Sequence, residues 1–530
     1  MHIAVVGCGH GALDSIYASI AQTEQRTGTR VSLVIICGDF QACRNAADLA
    51  GMACPMHYRA MQDFYKYYSG EKVAPILTIF VGGNHEASAH LSELFHGGWA
   101  APNIYYMGHA GVVNVGGLRI AGLSGIFKEN HYRLGHHEVP IFSDDAMRSF
   151  YHVRELDVFR LMQLREPVDV CISHDWPQHI VRHGDQRRLL KDKPFLEGDI
   201  RTGELGSPPA MQVLQHLQPR YWFAAHLHVK FAAVVNHASG NCTRFLSLSK
   251  VLPNHDFLQI LDVPGNGNGG AGGMTNGGGG APLQLSYDCE WLAVLRLTQH
   301  LHSGVRGRLP LDPALIAQVS NGRNSFTPSA DEMQAVRDCA AKAAAAAAAG
   351  DGDDEAHDVM AVPLNFVQTA QPYLPGESEH GPQAPLNPSP QTDAFIRTFE
   401  LERNFRHQRG ATLGSVVAAI PGGNGGGSSA SASSGPPPHQ PQQPPRQPFP
   451  PPPPPPGCYG QPPPAYGYYY DPAGYAPPPP QLPPPPSQNP YYGGRHAPLP
   501  PPAPPPAGAA NAGGLFSPLV LDEEIDIDDD

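Results

Sequence analysis

Five short apolar runs in the first 230 residues are each followed directly by side chains that can bind metal ions. Cys8 and His10 follow residues 3–6, and Asp39 follows residues 31–36. The other three sites are Asn84 and His85 after residues 75–81, His174 after residues 168–172, and His226 and His228 after residues 221–225. A single histidine at a strand end is usually structural, but five such sites in this order predict one cluster at the carboxyl edge of a sheet.

The residue types suit a centre of two cations. A carboxylate such as Asp39 can bridge two metal ions, imidazoles are terminal ligands for iron, zinc or manganese, and Asn84 adds a neutral oxygen. Two such cations bind a phosphodiester, lower the pKa of a water molecule and stabilise the charge of an in-line displacement. His226 and His228 are two residues apart, so both can face one pocket from an extended segment. The pattern therefore predicts a two-metal phosphoesterase.

His85 differs from its neighbour Asn84. It is not needed once both metal positions have their ligands, and an imidazole beside cations and a phosphate is a natural proton donor to a leaving oxygen. We predict that His85 is the general acid, the alternative being that it only holds a loop. Glu86 is expected to be a charge at a helix N-terminus rather than a catalyst.

The elements that must position these residues are buried strands alternating with helices. Helical spacing of apolar residues covers 13–25 and 56–69, between the first three apolar runs. Further strands are predicted at residues 118–121, 168–172, 221–225, 231–235, 245–248, 257–261 and 291–297. This order indicates a layered α/β architecture. Trp99, Tyr105 and Tyr106 are expected in its core.

The composition sets limits on the class of protein. The 530 residues include 59 Pro and 57 Gly, so a large part of the chain is expected not to fold. Residues 351–358 and 522–530 hold five and seven carboxylates, so the formal net charge of -13 leaves 36 acids against 35 bases elsewhere, which does not exclude an anionic substrate. Nine scattered cysteines without C-x-x-C pairs predict neither a disulfide framework nor a zinc ribbon. No signal peptide or membrane span is indicated, and we expect a soluble intracellular protein.

Composition also predicts the domain boundaries. A folded catalytic domain covers residues 1–302 and contains a Gly-rich insertion at 264–282. Residues 303–409 form a small C-terminal domain that is partly ordered, with the clearest order at 387–404. Residues 410–530 are a Gly/Ser/Pro-rich tail with an acidic end, whose composition cannot bury enough apolar surface to fold.

The complete motif set resembles a known superfamily. The pattern D-x-H, G-D, G-N-H-[DE], H and G-H-x-H is typical of calcineurin-like metallophosphoesterases, with Cys8 here in place of the first Asp and Ala225 in place of the last Gly. Cys in the first position, with G-G-N-H-E-A-S, S-H-D-W-P and A-H-L-H-V-K-F, is similar to the RNA lariat debranching enzymes. The resemblance extends to about residue 296, and a fainter match at 387–395 suggests the C-terminal domain of that family.

The resemblance implies a metallophosphoesterase β-sandwich flanked by helices and an enzyme that hydrolyses the 2',5'-phosphodiester at the branch point of excised intron lariats. It implies one metal position formed by Cys8, His10, Asp39 and His228, and a second formed by Asp39, Asn84, His174 and His226. His85 would protonate the departing 2'-oxygen. The implied cofactors are two divalent ions, Fe(II), Zn(II) or one of each, with Mn(II) able to substitute.

Residues 128–152, named here the recognition stretch, correspond in the resemblance to the loop that recognises the lariat. The stretch contains Lys128, Tyr132, Arg133 and His152, which suit phosphate contact and stacking on a splayed base. These four residues are the predicted substrate-binding set. The alternative on composition alone is an ordinary polar surface loop.

Two other classes of function stay open from the sequence. One is a metallophosphoesterase acting on phosphoproteins or nucleotides, and the other is a non-catalytic scaffold whose Pro-rich tail offers polyproline II ligands. The debranching interpretation predicts branched intron RNA as the partner and neither DNA nor membrane. The tail either binds splicing-associated proteins or serves only as a solvated extension, which is the favoured alternative. It places the protein in the nucleus, with the cytoplasm as a second location, although no targeting signal stands out.

Overall fold

The computed structural model describes residues 1–264, 283–302, 323–348 and 358–401, with a few single positions between 303 and 322. The described residues up to Leu401 belong to one compact unit, so the described part of the predicted C-terminal domain packs with the predicted catalytic domain. The Gly-rich insertion from residue 265, most of residues 303–322 and the Pro-rich tail lie outside the described residues. No described helix is long and apolar enough to cross a membrane.

Thirteen strands are described. They are β1 His2–Val6, β2 Leu33–Ile36, β3 Leu77–Phe80, β4 Gly98–Ala101, β5 Ile104–Tyr106, β6 Ala110–Val115, β7 Leu118–Leu123, β8 Val170–Ser173, β9 Tyr221–Ala224, β10 Phe231–Asn236, β11 Cys242–Ser247, β12 Leu258–Asp262 and β13 Leu285–Tyr287. One sheet has the order β12-β1-β2-β3-β5-β4 and the other has the order β10-β11-β9-β8-β7-β6-β13.

The two sheets pack face to face, as a sandwich. Alternate residues such as Val5 and Ile35 from the first sheet share one buried cluster with Ile120, Val170 and Phe223 from the second. Sheet residues of the opposite parity pack against helices on the outside of each sheet. This arrangement confirms the predicted β-sandwich flanked by helices.

The α-helices cover the two outer faces. They are α1 Leu13–Thr27, α2 Ala46–Ala50, α3 Phe64–Ser69, α4 Ser88–Glu93, α5 Glu129–Tyr132, α6 Asp144–Phe150, α7 Glu155–Leu161, α8 Gln186–Asp192, α9 Glu197–Thr202, α10 Pro208–Leu217, α11 Cys289–Thr298, α12 Ala330–Ala348 and α13 Pro390–Thr398. Helices α1 and α3 pack on the first sheet, and α7, α10 and α11 pack on the second.

The prediction of a strand at 291–297 is wrong, because this run lies in α11. Asp288 caps the helix by accepting the backbone N–H of Trp291 at 2.9 Å. Residues 291–295 are all buried, so the run is apolar on every side and its periodicity cannot distinguish helix from strand. The helix predicted at 56–69 is also interrupted, since only Met56–Tyr58 and α3 are helical there.

Sheet topology brings the predicted site together. Strands β1, β2 and β3 are mutually parallel in the first sheet, and β8 and β9 are parallel in the second. The carboxyl ends of parallel strands lie at one edge of their sheet. The five segments that carry the metal-competent residues therefore leave the sandwich at a common edge. Trp99, Tyr105 and Tyr106 are buried, as predicted.

Candidate metal centre

Four of the predicted ligands converge at this edge. The ligand atoms of Cys8, His10, Asp39 and His228 all lie within 4.8 Å of one another. Cys8 and Asp39 are buried, whereas the two histidines are half-buried. A thiol, a carboxylate and two imidazoles at this spacing form a donor set suited to iron or zinc.

The other predicted ligands lie on the opposite side of Asp39. The Nε2 atom of His174 is 3.0 Å from Oδ1 of Asn84 and 3.3 Å from Oδ1 of Asp39. The ring of His226 lies 5.0 Å from that of His174, measured between centroids. Asp39 thus stands between the two groups, where a bridging carboxylate belongs.

The atoms around His174 fit a cation. Nδ1 of His174 lies 2.9 Å from the carbonyl oxygen of Cys37 and donates to it, which leaves Nε2 without a proton in the neutral ring. That lone pair faces two oxygen acceptors, from Asn84 and Asp39. Three electron-rich atoms converge with no proton to share, and a metal ion satisfies all of them.

The first group shows the same signature. The Nε2 atoms of His10 and His228 are shielded from solvent, and neither has a hydrogen-bond partner within the described part of the chain. Buried polar nitrogens without partners are costly. Both residues belong to the converging set, so a cation bound there by these nitrogens would remove the cost.

The ligands are held by an unusual backbone. His10, Asp39, His226 and His228 all have positive φ angles, at 44°, 40°, 64° and 49°. Each such conformation costs a non-glycine residue about 1–3 kcal/mol. Hydrogen bonds between the loops after β1 and β2 compensate, including His10 N–H to the Asp39 carbonyl at 2.5 Å and Gly11 N–H to the Phe40 carbonyl at 2.9 Å.

Two glycines give the ligands their space. A Cβ at Gly38 would overlap the ring of His174, and a Cβ at Gly83 would overlap the carboxylate of Asp39. Both glycines stand in the strand-exit motifs, C-G-D-F and G-G-N-H-E. Their role is close approach of backbone to side chain, which only glycine permits.

Burial keeps the imidazoles neutral. Withdrawal from water lowers the pKa of His10 to about 4 and that of His226 to about 3, and it lowers the pKa of His228 well below its usual value. Burial alone would raise the pKa of Asp39, but His174, His85 and His10, which become charged in acid, hold it well below its usual range. Near neutral pH the centre therefore offers neutral nitrogens and an ionised carboxylate, as metal binding requires.

Cys8 is fully buried. Burial and, secondly, the charge of Asp39 raise the pKa of its thiol well above the usual value. A bound cation would act in the opposite sense, because it favours the thiolate and the displaced proton leaves to solvent. The state of Cys8 thus depends on whether its metal position is filled.

Glu86 has a role that the sequence did not indicate. It is buried and accepts backbone N–H bonds from Phe40 at 2.7 Å, Gln41 at 2.9 Å and Gly83 at 2.9 Å. The carboxylate binds these loop N–H groups and none of α4, so the expectation of a helix N-terminal charge is wrong. Glu86 ties the loop after β2 to the loop after β3, and these loops carry Asp39 and Asn84. Its sequence signal is an acid that follows a ligand pair inside a glycine-rich turn.

Comparison with known proteins decides the family. The profile "Calcineurin-like phosphoesterase" matches residues 1–230, and the profile "Lariat debranching enzyme, C-terminal domain" matches residues 240–404. The lariat debranching enzyme of Danio rerio is 44% identical over 408 residues, covering 76% of this chain and 66% of that protein. The corresponding Xenopus laevis enzyme A is 46% identical, covering 76% and 70%, and the Homo sapiens enzyme is 45% identical, covering 74% and 68%.

This chain belongs to the lariat debranching enzyme family. It is therefore a metallophosphoesterase and a hydrolase, and its fold implies a dinuclear metal site. The resemblance read from the motifs is confirmed and extends beyond residue 296, to residue 404. Family membership favours debranching over a phosphoesterase of other substrate and over a non-catalytic scaffold.

His85, the predicted general acid of this lariat debranching family member, lies beside the metal cluster. Its backbone N–H donates to Oδ1 of Asp39 at 2.8 Å, and its ring centroid is 5.9 Å from that of His10. The side chain is half-buried. The backbone bond to Asp39 holds the main chain of His85 next to the cluster, and its ring lies next to that of His10.

The recognition stretch has two kinds of residue. Arg133 is exposed and Lys128 and Tyr132 are half-buried, with the Tyr132 ring 5.5 Å from that of Phe127. His152, however, is buried, and its Nδ1 lies 2.8 Å from Nδ1 of His131. Three members of the predicted substrate-binding set are therefore accessible to solvent, and the fourth, His152, is buried. Their contacts with RNA stay predictions.

Proposed function

We propose that this protein hydrolyses the 2',5'-phosphodiester at the branch point of excised intron lariats. The products are a 2'-hydroxyl on the branch adenosine and a 5'-phosphate on the intron end. One observation carries the proposal: in a chain of the lariat debranching family, the Cys8, His10, Asp39 and His228 ligand atoms converge beside His174 and Asn84.

We propose that Cys8, His10, Asp39 and His228 hold one metal ion and that Asp39, Asn84, His174 and His226 hold the second. Bound cations would supply phosphodiester binding, a lowered pKa for the attacking water and stabilisation of the in-line displacement. The donor set, with one sulfur and four imidazoles, supports Fe(II) or Zn(II) as the resident metals, with Mn(II) as a substitute. The carboxylate of Asp39 serves both positions because it lies between the two groups.

His85 supplies the proton to the departing 2'-oxygen. The leaving group is an alkoxide whose conjugate alcohol has a high pKa, so its expulsion needs a proton at the moment of bond breaking. The position of His85 beside the cluster supports this role, since its backbone is tied to Asp39 while its ring is not part of the converging ligand set.

The recognition stretch provides the RNA contacts. Arg133 and Lys128 suit phosphate oxygens, and Tyr132 suits a base that has left the stack. His152 acts through His131, whose ring it supports from the buried side. These assignments extend the resemblance residue by residue.

The substrate places the protein in the nucleus, where lariats arise, with the cytoplasm as a second location. The Pro-rich composition after residue 435 would suit domains of splicing-associated proteins that recognise proline-rich ligands. We expect no DNA and no membrane partner.

The decisive experiment compares a branched 2',5'-linked RNA with a 3',5'-linked RNA of the same sequence. The protein is purified without oxygen, its metals are quantified, and both rates are measured. We expect cleavage of the 2',5' linkage to be faster by at least about two orders of magnitude, because that is the scale on which positioning discriminates substrates. Equal rates on the two linkages would refute the proposal.

A further inference from the structure

Residues 363–391, named here the C-terminal strap, run along the part of the chain before residue 302, named here the catalytic lobe, and contact it at Tyr68, Trp99 and Phe142. The strap contains neither a strand nor a helix before α13 begins. Its order comes from hydrogen bonds to distant parts of the chain. Tyr68 accepts the backbone N–H groups of Thr369 at 2.6 Å and Ala370 at 2.8 Å, and the Tyr373 N–H donates to the Arg44 carbonyl at 2.8 Å.

The strap contacts the recognition stretch through Gln383, whose amide nitrogen also lies 3.9 Å from the sulfur of Met147. The amide oxygen of Gln383 accepts the backbone N–H of Phe142 at 2.7 Å, and its amide nitrogen donates to the Phe142 carbonyl at 2.9 Å. A single side chain thus satisfies both main-chain groups of Phe142, as a neighbouring strand would. The two residues are 241 positions apart in sequence.

Phe142 is the inner anchor of its part of the stretch. Its side chain is buried, whereas the preceding Ile141 is 65% exposed and the following residues of α6 are largely exposed at their start. The upstream part of the stretch has a separate anchor, because Arg154 pairs with the buried carboxylate of Glu138 at 2.6 Å. Between Glu138 and α6, Gln383 therefore provides the hydrogen bonds that hold the main chain at Phe142 against the protein.

We propose that Gln383 is a positioning residue for the substrate: the C-terminal strap holds the recognition stretch in the geometry that receives branched RNA. Gln383 touches neither the metal ligands nor His85. Its effect should therefore appear in substrate binding and leave the chemical step unchanged. The proposal rests on the function proposed above, in which the stretch contacts RNA.

The strap contains a matched control. Gln391 makes the same double contact with another residue, accepting the Trp99 N–H at 2.8 Å and donating to the Trp99 carbonyl at 2.8 Å. Trp99 lies in β4, the edge strand of the first sheet, and not in the recognition stretch. Gln391→Ala removes the same chemistry from the same segment and leaves the stretch anchored.

The test uses the full-length metal-loaded protein as wild type, Gln383→Ala and Gln391→Ala. Each is assayed on a branched RNA with extended arms and on a minimal 2',5'-linked dinucleotide, and backbone hydrogen exchange is followed over residues 138–147. We expect Gln383→Ala to raise KM for the branched RNA about tenfold, with kcat and dinucleotide cleavage within about twofold of wild type. Exchange over 138–147 should accelerate about tenfold in Gln383→Ala and stay unchanged in Gln391→Ala.

Two results would overturn the proposal. Equal KM values for Gln383→Ala and Gln391→Ala would show that the contact with Phe142 does not position the stretch. An equal loss on the dinucleotide would show that Gln383 acts on the catalytic centre or on general stability. Failure of the proposed function would look different, since wild type itself would then not prefer the 2',5' linkage.

Discussion

At the scale of single residues, the centre depends on how burial acts on histidine. An exposed imidazole is partly protonated near neutral pH and competes poorly for a metal, whereas His10 and His226 have pKa values of about 4 and about 3 because they are withdrawn from water. His85 stands beside these residues but outside the converging ligand set, which separates a proton donor from a ligand.

We therefore expect His85→Ala to lower branch cleavage by about two to four orders of magnitude while metal content stays unchanged. The loss should be much smaller with a nitrophenyl phosphodiester, because that leaving group departs without a proton. His57→Ala, at an exposed position, serves as the control. Similar losses on both substrates would assign His85 to another role, and a lower metal content would make it a ligand.

Cys8 sets the character of the first metal position. A thiolate prefers iron or zinc, and a carboxylate prefers harder ions such as magnesium or manganese. Cys8→Ser should lower the metal retained after dialysis, with a loss of affinity of about tenfold or more, and Cys8→Asp should retain metal but shift its preference towards manganese. Metal analysis and the cleavage rate in each ion check this. Unaltered stoichiometry and rate in both variants would show that the sulfur is not a ligand.

His90 makes the catalytic lobe sensitive to acid. Burial and the charge of Arg44 lower its pKa from 6.5 to about 3, and its Nδ1 donates to the Ala42 carbonyl at 2.9 Å. The folded protein resists protonation that the unfolded chain accepts, so stability present above pH 6.5 is lost progressively as the pH falls towards 3.

His90→Asn keeps a donor for the Ala42 carbonyl but cannot titrate. Between pH 6.5 and 5 the wild type should lose about 2 kcal/mol of unfolding free energy through this residue, and the variant should not. Urea unfolding of both proteins at the two pH values measures the difference. Metal release in acid affects both proteins equally, so an identical loss in the two would contradict the role of His90.

At the scale of elements, the sequence predicts those structural features that are determined by residues close together along the chain. The strand exits carrying Cys8, Asp39 and His174 were predictable because a buried parallel strand is a continuous apolar run and its ligands follow directly. Helix α11 was not predictable, because it is buried on every side and its apolar residues therefore show no helical periodicity. The three N–H bonds of Glu86 and the contact of Gln383 with Phe142 join separate segments, and no local pattern records such contacts.

Gly83, in the loop after β3, gives a test at this scale. Gly83→Ala places a methyl group where the Asp39 carboxylate lies, so either the ligand or the loop must move. We expect a loss of about 1–3 kcal/mol in unfolding free energy, together with reduced metal content. Gly198→Ala in α9 is the control, because nothing lies within 4 Å of its added Cβ. Full metal content in Gly83→Ala would show that the loop adapts without cost to the site.

At the scale of the whole molecule, the described residues end at Leu401, while the sequence continues to residue 530. The last described segments belong to the fold. The Trp99 indole N–H donates to the Pro363 carbonyl at 2.8 Å, and Phe395 and Phe399 pack around Tyr287. These contacts join the C-terminal segments to both sheets, so the catalytic lobe and the strap should unfold together.

Two truncations test where the functional protein ends. A chain ending after residue 409 should keep its melting temperature and its kcat/KM on branched RNA within about twofold, because the removed composition offers little apolar surface to bury. A chain ending after residue 361 should lose soluble expression or melt at least about 10 °C lower, since Tyr68, Arg44 and Trp99 lose their strap contacts and buried polar groups are left unpaired. Thermal melts and branch-cleavage assays of both truncated chains test these two expectations. An active, stable chain ending at 361 would contradict the structural role of the strap, and an inactive chain ending at 409 would assign part of the activity to the Pro-rich tail.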